Sequence, residues 1–70
     1  MKLKNVKVGQ VVKVKKSNDT FDERYNGVHG AVEYIEDTDY SGYLTVKVRF
    51  PDGNTDWGNH HDIKLIEDVD

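Results

Sequence analysis

Apolar and polar residues alternate along two stretches of this chain. Val6, Val8, Val12 and Val14 share one parity, with Lys7, Lys13 and Lys15 between them. A period of two sends successive side chains to opposite faces, so residues 10–16 read as a half-buried strand with its valines inward. Residues 43–50 follow the rule more strictly: Leu44, Val46, Val48 and Phe50 lie on one face, and Tyr43, Thr45, Lys47 and Arg49 on the other. This is the strongest strand of the chain. Pro51-Asp52-Gly53-Asn54 follows it, with proline presetting φ and glycine accepting a positive φ, which predicts a hairpin into a strand at residues 54–58. The polar break Asp37 to Gly42 separates residues 43–50 from a further strand at 28–36. In that strand Val32, Tyr34 and Ile35 do not alternate cleanly, so its inward phase stays open and a bulge is compatible with it. A long polar loop, Lys16 to Asn26, joins the first two strands. Asn59-His60-His61-Asp62 has room for a single 3₁₀ turn before a last strand at 63–66. Residues 67–70 read as a frayed acidic tail.

Composition agrees with the strands. Ten valines, three isoleucines and four threonines stand against one alanine and three leucines, the reverse of what a helical bundle uses. The expected fold is all-β, as one domain spanning residues 1–70 with its core over about 9–66. A chain of 70 residues hides only about 60% of the surface its unfolded form exposes, and its core supplies roughly 3–5 kcal/mol. Large catalytic clefts are excluded on that scale. No cysteine is present, so there is no disulfide framework and no thiolate metal site, and a cytoplasmic location is the simplest expectation. No apolar run exceeds two residues, which leaves no transmembrane helix and no secretory signal.

Five short strands, a long first loop, a tight third turn and one helical turn before the fifth strand make the connectivity of an SH3-like barrel. Gly9-Gln10-Val11-Val12-Lys13-Val14, Gly27-Val28-His29-Gly30-Ala31-Val32-Glu33-Tyr34-Ile35, Val46-Lys47-Val48-Arg49-Phe50-Pro51-Asp52-Gly53 and Asp62-Ile63-Lys64-Leu65-Ile66 carry the likeness. The sequence resembles the broad group of small barrels that includes KOW and Tudor modules and the small stromal barrel subunit of photosystem I. That resemblance implies a five-stranded barrel and leaves the ligand open. The signalling SH3 domains fit less well, because their Ala-Leu-Tyr-Asp-Tyr segment, Trp-Trp pair and late Pro-x-x-Tyr are absent, so proline-rich peptide recognition does not carry over. The sequence opens on Met1 with little outside the expected barrel, and such compact barrels resemble stand-alone bacterial or phage accessory proteins.

Charge is distributed unevenly. Residues 1–16 carry six lysines and no acid, while residues 17–70 hold four basic and thirteen acidic side chains, for a net charge of −3. A nucleic-acid module needs a basic footprint with interleaved aromatics. Lys13, Lys15, Lys47 and Arg49 form the candidate basic face for that alternative, against the plainer reading that strand lysines block edge-to-edge association. Asp37-Thr38-Asp39-Tyr40-Ser41-Gly42-Tyr43-Leu44 reads like the first eight positions of a calcium loop, with Asp37, Asp39 and Ser41 as oxygen donors. Val48 then stands where a bidentate carboxylate is needed, so a turn is the expectation. His60, His61 and His29 make an incomplete ligand set, and a solvated or capping turn is expected at residues 59–62. Ser17 and Ser41 lie in polar loops without a nucleophile elbow. No catalytic residue, metal or cofactor is implied, and the expectation is that the protein is not an enzyme.

The aromatics remain. Phe50 falls on the inward parity, and Trp57 divides between core and surface. Phe21, Tyr25, Tyr40 and Tyr43 lie in or beside loops that approach one another in SH3-like barrels. Converging there with Trp57, Asp22, Glu23, Asp37 and Asp39, they make an acidic aromatic surface suited to a basic face of another protein. The plainer reading has each tyrosine covering its own strand end. The functional expectation is therefore a binding module that docks on a protein, with nucleic acid as the alternative partner and no membrane contact.

Overall fold

The computed structural model describes residues 6–38 and 43–67, with residues 37, 38, 43 and 44 described by backbone alone. Five strands form one antiparallel sheet: β1 (Val11–Val14), β2 (His29–Thr38), β3 (Tyr43–Arg49), β4 (Thr55–Asn59) and β5 (Ile63–Glu67), in the order β4-β3-β2-β1-β5. Among the described residues two 3₁₀ turns interrupt them, η1 (Glu23–Tyr25) in the long first loop and η2 (His60–Asp62) before β5. The strands fall where the alternation puts them, shifted by one or two residues at their ends.

Val12 and Val14 of β1, Val32 of β2, Val46 and Val48 of β3 and Ile63 of β5 are all buried to 2% exposure or less. Side chains from one face of four strands vanish from solvent together only if the sheet curls around them. Val6, Phe21, Tyr25 and Phe50 complete the same core. Gly53 turns the β3–β4 hairpin at φ 88°, with its N–H donating to the Phe50 carbonyl at 3.0 Å.

The first strand keeps its expected parity, with Val12 and Val14 inward, and Val8 ahead of it is the exception. Val8 is 56% exposed, whereas Val6 and Val12 are buried. A turn at Val8 and Gly9 takes Val8 out of the alternation before β1 begins at Val11. Gln10, fully buried, closes that turn, its side-chain oxygen accepting from the Lys7 N–H at 2.9 Å. In β2 the open phase resolves as a bulge: Val32 pairs with Val48 and Tyr34 with Lys47, which leaves Glu33 as an extra residue. Val32 turns inward and Tyr34 outward, and Ile35 packs half-buried against the core.

The turn at 60–62 is not a solvated one throughout. His60 is 1% exposed, and Asn59 provides the cap by accepting the His61 N–H at 2.8 Å. The outward N–H groups of β4 are also occupied by side chains, Trp57 donating to Asp56 Oδ1 and Asn59 to Thr20 Oγ1. That protects a sheet edge from pairing with other chains.

Candidate functional site

The first loop builds the site, and an asparagine organises it. Asn18 Oδ1 accepts from the Thr20 and Phe21 N–H groups, and its Nδ2 donates to the Lys15 carbonyl and to Asn26. Such side-chain bonds give a polar segment a fixed shape without a helix or strand. They aim Phe21 inward, where its ring lies edge-on to Phe50 and over Gly58 of β4. A Cβ at position 58 would come closer than 3.0 Å to three atoms of that ring, so only glycine leaves the seat open.

Beyond Phe21 the loop is fastened to the β3–β4 hairpin. Asp22 caps η1 by accepting the Arg24 N–H, and its own N–H donates to Asp56 Oδ2 at 2.8 Å. Tyr25 stacks on Phe50 with ring centroids 3.8 Å apart, and its hydroxyl donates to Asp52 Oδ2 at 3.0 Å. On the rim, Arg24 pairs with Asp22 at 3.2 Å and lies 5.5 Å from the Tyr25 ring.

Two hollows meet at Tyr25. A polar one of about 400 Å³ is lined by Asp22, Arg24, Tyr25, Asn54, Thr55 and Asp56. An apolar one of about 280 Å³ runs over Val28, Phe50 and Pro51 between Arg24 and Asp52. The carboxylates around them are held in the charged form. The Arg24 N–H lowers the Asp22 pKa, and the Asn54 N–H, with help from the Tyr25 hydroxyl, lowers that of Asp52. Tyr25 moves upward, first by burial and then by its bond to Asp52, and so keeps its proton. With Asp56 included, three acids line the two hollows against one arginine.

The expected acidic aromatic surface is only partly assembled. Asp22 and Glu23 lie on its rim, but Phe21 and Tyr25 are each 6% exposed and belong to the core, because the ties just described pull the loop inward. Tyr43 opens β3 and Phe50 follows its end, so Tyr43 and Tyr25 are separated by roughly 20 Å of strand. Trp57 points to the outer face of β4, where it meets Tyr34. Tyr40 lies outside the described residues. So do Asp39 and Ser41 of the calcium-like loop, and Asp37 is described by backbone alone.

The basic residues do not gather either. Lys13 lies on β1 opposite His29 and Lys64, Lys15 follows that strand, and Lys47 and Arg49 belong to β3 with β2 between. Arg49 is paired with Glu33 at 2.8 Å, and Lys47 leans over Trp57. Among the described residues no three His, Cys, Asp or Glu side chains are placed to hold a metal, and no helix is long and apolar enough to cross a membrane. Arg24, Asn54 and Asp56 are site residues that alternation alone does not reveal, because the hairpin tip reaches the loop only through tertiary bonds.

Comparison with known proteins adds one finding to this geometry. The fold matches the solution structure of the cyanobacterial cytochrome b6f complex subunit PetP, with a TM-score of 0.72 and 26% identity over 90% of this chain and 82% of that one. The chain has an SH3-like small β-barrel fold. No protein-family model and no curated protein matches it. The structural neighbour is thus a subunit of a protein complex, and the likeness extends over nearly the whole barrel.

Proposed function

We propose that this protein is a non-enzymatic accessory module, of bacterial or phage origin, that joins a larger protein assembly by docking through the groove between the first loop and the β3–β4 hairpin. The observation carrying this reading is the pairing of the two hollows: an apolar trough over Val28, Phe50 and Pro51 lies directly beside an acidic one. Apolar burial supplies affinity without direction, and fixed charge supplies register and rejects the wrong partner. The matching surface carries an apolar side chain for the trough, flanked by lysine or arginine. PetP, as a subunit of the cytochrome b6f complex, supports a role within an assembly.

The test is affinity capture from cell lysate treated with nuclease, comparing wild type with a variant carrying Glu23→Lys and Asp56→Asn. Glu23 is exposed on η1, and asparagine at 56 keeps an acceptor for one of the two N–H groups, of Asp22 and Trp57, that the carboxylate takes, so the variant is first shown folded by circular dichroism. A partner captured by wild type and lost by the folded variant supports the groove. Identical partners for both refute it.

A further inference from the structure

We propose that the outer face of β2, β3 and β4 is a contact through which two copies of this chain pair about a twofold axis. The bulge in β2 builds that face. Glu33 and Tyr34 both fall opposite Lys47, and a single row, Tyr34, Lys47, Trp57, then crosses three strands. Tyr34 is 54% and Trp57 41% exposed, and their rings meet edge to face at 5.8 Å. Lys47 Nζ lies 5.8 Å from the Trp57 ring centre, and Glu33 closes one side of a hollow of about 390 Å³ among the four. Exposed tryptophan and tyrosine beside an arginine ion pair are the residue types that dominate binding energy at protein contacts.

The charge pattern selects the occupant. In a twofold contact each face meets its own copy, so the face must not repel itself. The described charges here are Glu33, Glu36, Lys47 and Arg49, which cancel. The other two faces fail this condition. The groove sets Asp22, Asp52 and Asp56 against one arginine, and the β1–β5 face sets Lys13 opposite Lys64. Like charges brought together in that way oppose association. A neutral face also offers little to a polyanion, whose binding rests on phosphate neutralisation.

Size fixes the strength. Three strands and three side-chain rows cover roughly 20 by 16 Å, about 320 Å², against the roughly 800 Å² per partner of a standard interface. A contact below the standard size is weak and reversible, so it is sought at protein concentrations up to about 1 mM.

Trp57 is the sole tryptophan, so its emission reports on this face. The experiment is sedimentation equilibrium of the full chain from about 10 μM to about 1 mM, with Trp57 emission recorded over the same range. The expected result is a mass rising toward twice the monomer value with a parallel blue shift of the emission. A Tyr34→Ser variant, shown folded by circular dichroism, stays monomeric at the highest concentration. A wild type monomeric throughout overturns the proposal, as does a Tyr34→Ser variant that pairs normally. Mass doubling with unmoved emission also overturns it, by placing the contact elsewhere. An emission shift produced only by added oligouridylate overturns it in favour of nucleic acid on this face.

Discussion

Gly58→Ala tests whether the first loop is held by the seat of Phe21. Gly58 does not have positive φ, so the backbone itself accepts alanine there. Loss of chain freedom in the unfolded state would on its own make the variant more stable by about 0.4–1 kcal/mol. Packing acts the other way. The added Cβ would lie closer than 3.0 Å to three atoms of the Phe21 ring, which is buried edge-on against Phe50 and cannot swing aside without leaving the core. Overpacking of this kind costs about 1–3 kcal/mol, and eviction of the ring would cost about 3–5 kcal/mol. The smaller cost prevails, and set against that gain it leaves a net loss of about 1–2 kcal/mol, roughly a third of the stability available to a domain of this size. Urea unfolding at low protein concentration, followed by Trp57 emission, measures it. In a Phe21→Leu background the clashing ring atoms are absent, and the same Gly58→Ala change should cost at least about 1 kcal/mol less. A Gly58→Ala protein within 0.5 kcal/mol of wild type, or equal costs in both backgrounds, would refute the argument.

Further outcomes follow from the core and the turns. Val48→Ala removes two methyls from a fully buried site and should lower stability by about 1–3 kcal/mol, while Lys47→Ala on the opposite face changes it by less than about 0.5 kcal/mol; the same urea assay separates them. Gly53→Val should cost about 1–2 kcal/mol although nothing lies within 4 Å of the added Cβ, because valine must adopt φ 88°; a Gly53→Asn protein should lose less. Asp22, Asp52 and Glu33 have pKa values lowered by the bonds from Arg24, Asn54 and Arg49. At these three groups the folded protein binds fewer protons than the unfolded chain in acid, so their contribution is constant above about pH 5 and declines as pH falls below about 4. Asp52→Asn should make that decline shallower, and acid titration followed by circular dichroism will show whether it does.

The parts of the fold legible in the sequence are those governed by a local period. Val46, Val48 and Phe50 lie inward as their alternation requires, and the hairpin turns on the Pro-Asp-Gly-Asn segment. Where the period breaks, the cause is also local but easier to misread. Val32 and Ile35 stand three apart with Tyr34 between them, a spacing no regular strand can bury on one face, and the bulge at Glu33 is the result. Val8 fails for a related reason, since it sits in a turn ahead of β1 and so outside the alternation. The first loop is the harder case. Its residues are polar apart from Phe21 and Tyr25, and polarity argues for solvent. What buries those two rings is a set of bonds from Asn18, Asp52 and Asp56 and the missing side chain at Gly58. Asp52, Asp56 and Gly58 lie 27 to 37 residues from the loop positions they meet and leave no local pattern to read.

Those long spans bear on when the groove comes into being during synthesis. Thr20 is tied to Asp62, Asp22 to Asp56 and Tyr25 to Asp52. A nascent chain that has left the ribosome only as far as the second hairpin has its loop but lacks the last of these anchors. Under the proposed function, docking therefore waits until these anchoring residues have emerged, which keeps unfinished polypeptides from engaging a partner.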